Sequence, residues 1–356
     1  MGCCANCIGD SHLRKAVIPR TSQTVGTCDY CGSTGQALVS PADLRDHFEL
    51  VLGIYARNDG GRLLVEWFKT DWGMFEHERM DDAHAQVLLS DILDDGEIVR
   101  RRFVPAGTGR SESLHRWQEF REELMHKNRY FPKAAPDLVR LRELLSYLIT
   151  DPREIPSQLF RARIQDGAMP HPPDRMGAPP AELATHGRAN PAGIPYLYLA
   201  SDQNTAVSEL RPHTGDLASV ARCLVSDQLK LVDLRQPRKT ISPFALPDES
   251  QVALLRGDLA FLATVGEELT RPVHPKSAHI DYLPSQYLCE FIKDCGFDGV
   301  MYRSSVGDGV NLALFDPAKA AVDLVAQYAV SRVHVELEEK PSAPGGERDV
   351  PAGATR

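Results

Sequence analysis

The feature that most constrains this chain lies in its first 31 residues. Cys4-x2-Cys7 is followed, after 20 residues, by Cys28-x2-Cys31. Two such knuckles can wrap one Zn2+ with four thiolates in a closed tetrahedral site, because each two-residue spacer lets both sulfurs of a knuckle face one metal. Gly32, directly after the second knuckle, can take the positive φ of a tight turn. Cys3 is the alternative to Cys4 as a ligand. Unpaired thiols in a flexible start are the competing reading. A closed four-thiolate site leaves no open coordination position, so its metal serves stability or recognition rather than chemistry. Of the eight cysteines, the remaining three (Cys223, Cys289 and Cys295) lie among apolar neighbours and read as small buried hydrophobes.

Length and charge then exclude several classes. At roughly 150 residues per domain, 356 residues suggest two domains and a small additional module. A net charge of −9 argues against a large basic face for duplex nucleic acid. No stretch approaches the ~18 apolar residues of a membrane span. Met1 to Arg14 has no apolar h-region, and although Gly2-Cys3-Cys4 hints at lipidation, Asn6 breaks the myristoylation pattern. The expectation is a protein of the cytoplasm, a reducing compartment, with no membrane partner.

Patterning divides the chain into an expected zinc-knuckle module (residues 1–38), a mostly helical middle module (39–150), an α+β domain (151–335) and a disordered tail (336–356). Ser40-Pro41 reads as a cap and first helical position, with Leu44, Phe48, Val51, Leu52 and Tyr55 following at helical spacing and Asn58-Asp59-Gly60-Gly61 closing the element. Further helices are expected near 80–92, 114–126 and 136–149. After Asp151-Pro152 short β-rich runs appear at 158–164, 196–200, 217–224, 229–234, 299–302 and 311–315, with helices at 204–210, 251–267 and 284–295. The tail is rich in Pro, Gly and Ala without apolar periodicity.

Candidate chemistry follows from four segments. Arg161 and Arg163, two apart on a strand, face one side and can hold a diphosphate through their planar forks of donors, or simply belong to a paired surface strand. In the segment from Gly187 to Ala200, a Gly/Pro turn carrying Arg188 and Asn190 leads into a strand with Tyr196 and Tyr198 on one face, suited to stacking on a flat heterocycle or to core packing. Glu209 lies near the C-terminal end of a capped helix, where the helix dipole disfavours a carboxylate. Either a site needs it there, or it pairs with an arginine such as Arg211. Ser304 and Ser305 precede a Gly-rich turn, and no Gly-x-Ser-x-Gly elbow surrounds them. In the middle module Arg121-x4-His126 resembles the motif of HEPN ribonucleases, with His as acid or base. Arg79-x4-His84 fits the same spacing, so a solvated helical face is the plainer reading.

Taken in order, Phe160-Arg161, Gly187-Arg188-x-Asn190-Pro191-x-Gly193-Ile194-Pro195-x-Leu197-Tyr198-x-Ala200, Thr205-Ala206-x-Ser208-Glu209, Gln286, and Tyr302-x-Ser304-Ser305 ahead of Asn311 resemble the RES family, named for an Arg, a Glu and a Ser. The likeness spans about residues 155–325. The front half is similar to the CxxC-bearing, HEPN-like module that accompanies some RES domains. The resemblance implies an ADP-ribosyltransferase-like fold and, as in several RES toxins, breakdown of NAD+. It places Arg161, Glu209 and Ser304 as the family's Arg, Glu and Ser, and Tyr198 as the pocket aromatic. Arg188 would be the second pocket arginine, Asn190 a polar contact, and Ser305 the alternative to Ser304. The implied activity is glycohydrolase or phosphorylase cleavage of the nicotinamide–ribose bond by a toxin or defence effector. ADP-ribosyl transfer to a macromolecule, a HEPN-like ribonuclease and a non-catalytic nucleotide sensor are the alternatives. The implied partners are NAD+ as substrate and an inhibitory antitoxin or regulator, though the long front half and cysteine knuckles depart from the short, better-known toxins.

Overall fold

The protein is described by a computed structural model over residues 1–106, 112–274 and 276–334, with the side chains of 112–115 left aside. The expected tail, 336–356, lies outside the described residues. The first helices are single turns, α1 (Ala5–Ile8) and α2 (Ile18–Thr21), followed by a two-stranded sheet of β1 (Thr24–Gly26) and β2 (Gln36–Leu38). The middle of the chain is mostly helical: α3 (Arg45–Leu52), β3 (Tyr55–Leu63), α4 (Leu64–Trp72), α5 (Asp82–Leu93), β4 (Arg102–Pro105), α6 (Glu112–His126) and α7 (Leu138–Tyr147). The remainder is α+β, with β5 (Gln158–Ile164), β6 (Leu197–Ala200), α8 (Gln203–Ser208), β7 (Leu217–Val225), β8 (Leu231–Asp233), α9 (Pro237–Thr240), α10 (Glu249–Thr270), α11 (Ala278–Asp281), α12 (Leu283–Asp294), β9 (Gly299–Arg303), β10 (Val310–Leu314) and β11 (Ala320–Ala329).

Two features of the middle region differ from expectation. The helix begun by Ser40 ends at Leu52 rather than at Asn58–Gly61. Ser40 does cap, closing a reciprocal box with Asp43 over a 3-10 turn that leads into α3. Tyr55 belongs instead to β3, and Asn58–Gly61 bulges from the ladder, where Arg57 and Arg62 both oppose Phe103. Helix α4 starts with no connecting loop and no side-chain cap at Leu63. It is an element the sequence does not announce, because neither start signal is present.

Seven strands form the main sheet in the order β11-β7-β5-β6-β10-β9-β8, antiparallel except for the β8–β9 pair. Strands β5 and β6 touch at one register point only, Phe160 opposite Ala200, and otherwise splay apart. One apolar core runs from Cys3 through Phe48, Phe68 and Trp117 of the front half to Leu262, Leu288, Val300 and Phe315. The expected modules therefore share a core. Helix α10 contributes Val252, Leu255, Leu259, Phe261, Leu262, Val265 and Leu269 to it and is also held by ion pairs from the front half. Asp71 pairs with Arg256, Arg140 with Asp258, and Arg121 with Glu268. A smaller core, built on Leu159, Met176, Leu197, Leu199 and Cys223, lies within the α+β part. Cys223 and Cys289 are buried, as expected, and burial pushes the Cys223 thiol up to about 11.

Candidate functional site

The four knuckle cysteines converge. Their sulfurs lie within 4.8 Å of one another and are buried, a grouping that could hold a metal ion. Pairwise separations are 4.0 Å for Cys4–Cys7, 3.6 Å for Cys4–Cys31 and 3.2 Å for Cys7–Cys28. A tetrahedron of thiolates at the ~2.3 Å Zn–S distance has edges of about 3.8 Å, so the donor set fits such a centre. Gly32 takes φ = 70°, as the tight turn requires. Cys3 is directed away, its thiol donating to the Val39 carbonyl at 3.6 Å, which favours Cys4 over Cys3 as the ligand.

The second site is a cavity of about 540 Å3 where β5 and β6 part. Arg161, Arg188, Tyr198, Glu209 and Ser305 line it, together with Tyr282, Tyr302 and Asn311. Each is positioned by a local device. Asp202 caps α8 by accepting from the Thr205 amide at 2.8 Å, and Glu209 is the residue that closes the same helix. Its position opposes the helix dipole, and two donors answer for it. Ser304 Oγ donates at 2.7 Å and Asn311 Nδ2 at 2.6 Å, both to Oε1. Oε2 receives no donor among the described residues, and the residue is exposed within the cavity.

The arginines are held differently. Arg161 Nη1 donates to the Tyr198 carbonyl at 3.0 Å across the gap between strands, and its Nε is buried without a partner. Burial, followed by neighbouring Arg163, pulls its guanidinium down to about 10. Arg188 donates to the Arg271 carbonyl at 2.6 Å and to Ser305 Oγ at 3.3 Å, and lies 5.2 Å over the Tyr282 ring. Neither has a carboxylate partner among the described residues. Two cations without counter-ions line a cavity that also offers flat aromatic surface.

Asn190 does not reach this wall. It is buried behind Tyr198, taking the tyrosine hydroxyl at 2.7 Å on Oδ1 and donating through Nδ2 to the carbonyls of Thr185, Pro191 and Ile194. It pins the turn that presents Arg188. Gly187 makes that turn possible, because a Cβ there would meet Asn190 Oδ1 at 2.3 Å and the Tyr198 hydroxyl at 2.6 Å. From α12, Gln286 holds the Gly187 carbonyl and Ser285 the Arg188 carbonyl. Tyr198 lines the cavity. Tyr196 instead packs on Phe315 in the core.

The structure adds Asn311 to the expected set. Its signal in the sequence is a polar residue inside the apolar run Val310-Asn311-Leu312. Tyr302 sits opposite it in the ladder and is buried, which raises its hydroxyl well above the ordinary value. The two helical Arg/His pairs do not form a site. Arg121 turns inward to Glu268 at 3.0 Å, while His126 is exposed on the last turn of α6. Positions five apart on a helix point ~140° from each other. His84 pairs with Asp81 at 2.7 Å, the carboxylate that caps its own helix.

Residues 158–337 match the RES domain family, half of the chain, and the protein belongs to that family. No curated protein matches it. Among solved structures, a chain of the M. tuberculosis MbcT–MbcA toxin–antitoxin complex is similar at 13% identity, covering 54% of this chain and 93% of that one, with a TM-score of 0.33.

Proposed function

We propose that this protein cleaves NAD+ at the nicotinamide–ribose bond, acting as a toxin or defence effector restrained by a protein partner. The observation that carries the reading is the pairing of a pinned carboxylate with two arginines that lack counter-ions in one cavity. Arg161 and Arg188 would neutralise the diphosphate. Tyr198 and Tyr282 offer aromatic surface for the flat nicotinamide. As the glycosidic bond breaks, its electron pair passes to the nicotinamide nitrogen and positive charge develops on the ribose. Glu209, with Oε1 fixed by Ser304 and Asn311 and Oε2 open, would stabilise that charge. Water, phosphate or a macromolecule then completes the bond at the ribose carbon. Within the same proposal the four cysteines hold a structural Zn2+, whose chemistry is to tie the first 31 residues into the shared core.

The test is nicotinamide release by the full chain, with and without phosphate. Glu209→Gln is expected to lower kcat by ~10²–10³-fold with an unchanged melting temperature. Retained activity in that variant overturns the assignment. Label transferred from adenylate-labelled NAD+ to a macromolecule would instead define an ADP-ribosyltransferase, and binding without release a sensor. For the metal, native mass spectrometry should find one zinc per chain, and a strong chelator should lower the melting temperature.

A further inference from the structure

A second, smaller cavity of about 360 Å3 adjoins the first, lined by Arg163, Ile164, Asp166, His171, Arg175 and Leu210. Leu210 lines both cavities, standing between them directly after Glu209. Strand β5 runs past both, so that Arg161 serves one and Arg163 the other, ~7 Å apart along the strand. Arg163 repeats the condition of Arg161. One nitrogen donates to a backbone carbonyl, Gly177 at 2.9 Å, and Nε is buried with no partner. No ion pair joins Arg163 or Arg175 to a carboxylate among the described residues, and Asp166 lies at the exposed rim. His171 is fixed by its backbone, whose amide donates to Ser219 Oγ at 2.8 Å, and by Nε2 at 3.1 Å from the Ile164 carbonyl. A half-buried guanidinium stripped of water and left without a counter-ion is costly unless an anion completes it.

From this we infer that the cavity around Arg163, Arg175 and His171 is a second phosphate subsite of the same cleft. The inference rests on the NAD+ reading of the main cavity. The phosphate has two possible sources, the diphosphate common to all nicotinamide dinucleotides or a phosphomonoester on the adenylate ribose, as in NADP+.

The experiment measures kcat/KM for NAD+ and NADP+ with wild type, Arg163→Gln and Arg175→Ala, alongside calorimetric binding of ADP-ribose and its 2′-phosphate. Arg175 is exposed at the end of a single 3-10 turn, so its variant keeps the test valid if Arg163→Gln fails to fold. A ~10-fold or larger fall for NADP+ beyond any fall for NAD+ supports the subsite and assigns it to the phosphomonoester. An equal ~10-fold fall for both supports it and assigns the diphosphate. No fall with either substrate in Arg175→Ala overturns it. If wild type cleaves neither dinucleotide, the proposed activity fails. The subsite then stands or falls on whether Arg175→Ala weakens binding of the ADP-ribose probes by the same factor.

Discussion

Two populations of half-buried arginine divide this molecule. Around α10, each has a carboxylate: Arg121 has Glu268, Arg140 has Asp258 and Arg256 has Asp71. In the cleft between β5 and β6, Arg161 and Arg188 have only carbonyls and a hydroxyl. The first group is scaffold, complete in itself, and joins the front half to α10. The second group leaves charge unspent toward a cavity. The same residue type is thus read as structure or as site by the presence or absence of its counter-ion. That distinction also retires the ribonuclease motif, since Arg121 is already satisfied.

Substitutions should separate the two groups by the sign of their effects. The largest change is expected for Glu268→Ala, which strands Arg121 and also removes the acceptor of Trp117 Nε1 at 3.3 Å. Breaking a buried pair in this way costs ~3–5 kcal/mol, to be read from denaturant unfolding of the full chain. A loss below 1 kcal/mol would show that the pair is not holding the halves together. Arg161→Met should do the opposite. Replacing an uncompensated buried charge with an apolar side chain of similar length should leave stability within ~1 kcal/mol or raise it, while NAD+ affinity falls at least ~10-fold. Strong destabilisation with intact NAD+ binding would move Arg161 into the scaffold group and erase the comparison.

How much of this was legible depended on sequence distance. The cysteine cluster was readable because each knuckle is a local unit whose two-residue spacer sets the direction of both sulfurs. Strands β5 to β10 were legible from short apolar runs between turn signals, and helices α10 and α12 from their periodicity. Strand β11 was not. It lies at the sheet edge, pairs only with β7, and a register shift between Val322 and Leu324 breaks its alternation. Tyr196 and Asn190 carried the right residue types, yet packing sent one to the core and the other behind Tyr198.

The sequence alone determined the composition of the cysteine knuckles, the order of the α+β elements and the family, because these follow from local spacing and from residue types in succession. Only the tertiary structure decided which polar groups meet. It set Ser304 and Asn311, about a hundred residues from Glu209, on the same carboxylate oxygen. It also gave Arg121 a partner 147 positions away and withheld one from Arg161. The reason is physical. A side chain's charge is fixed by its chemistry, but its counter-ion is chosen by the fold, and burial makes that choice decisive by removing the water that would otherwise stand in.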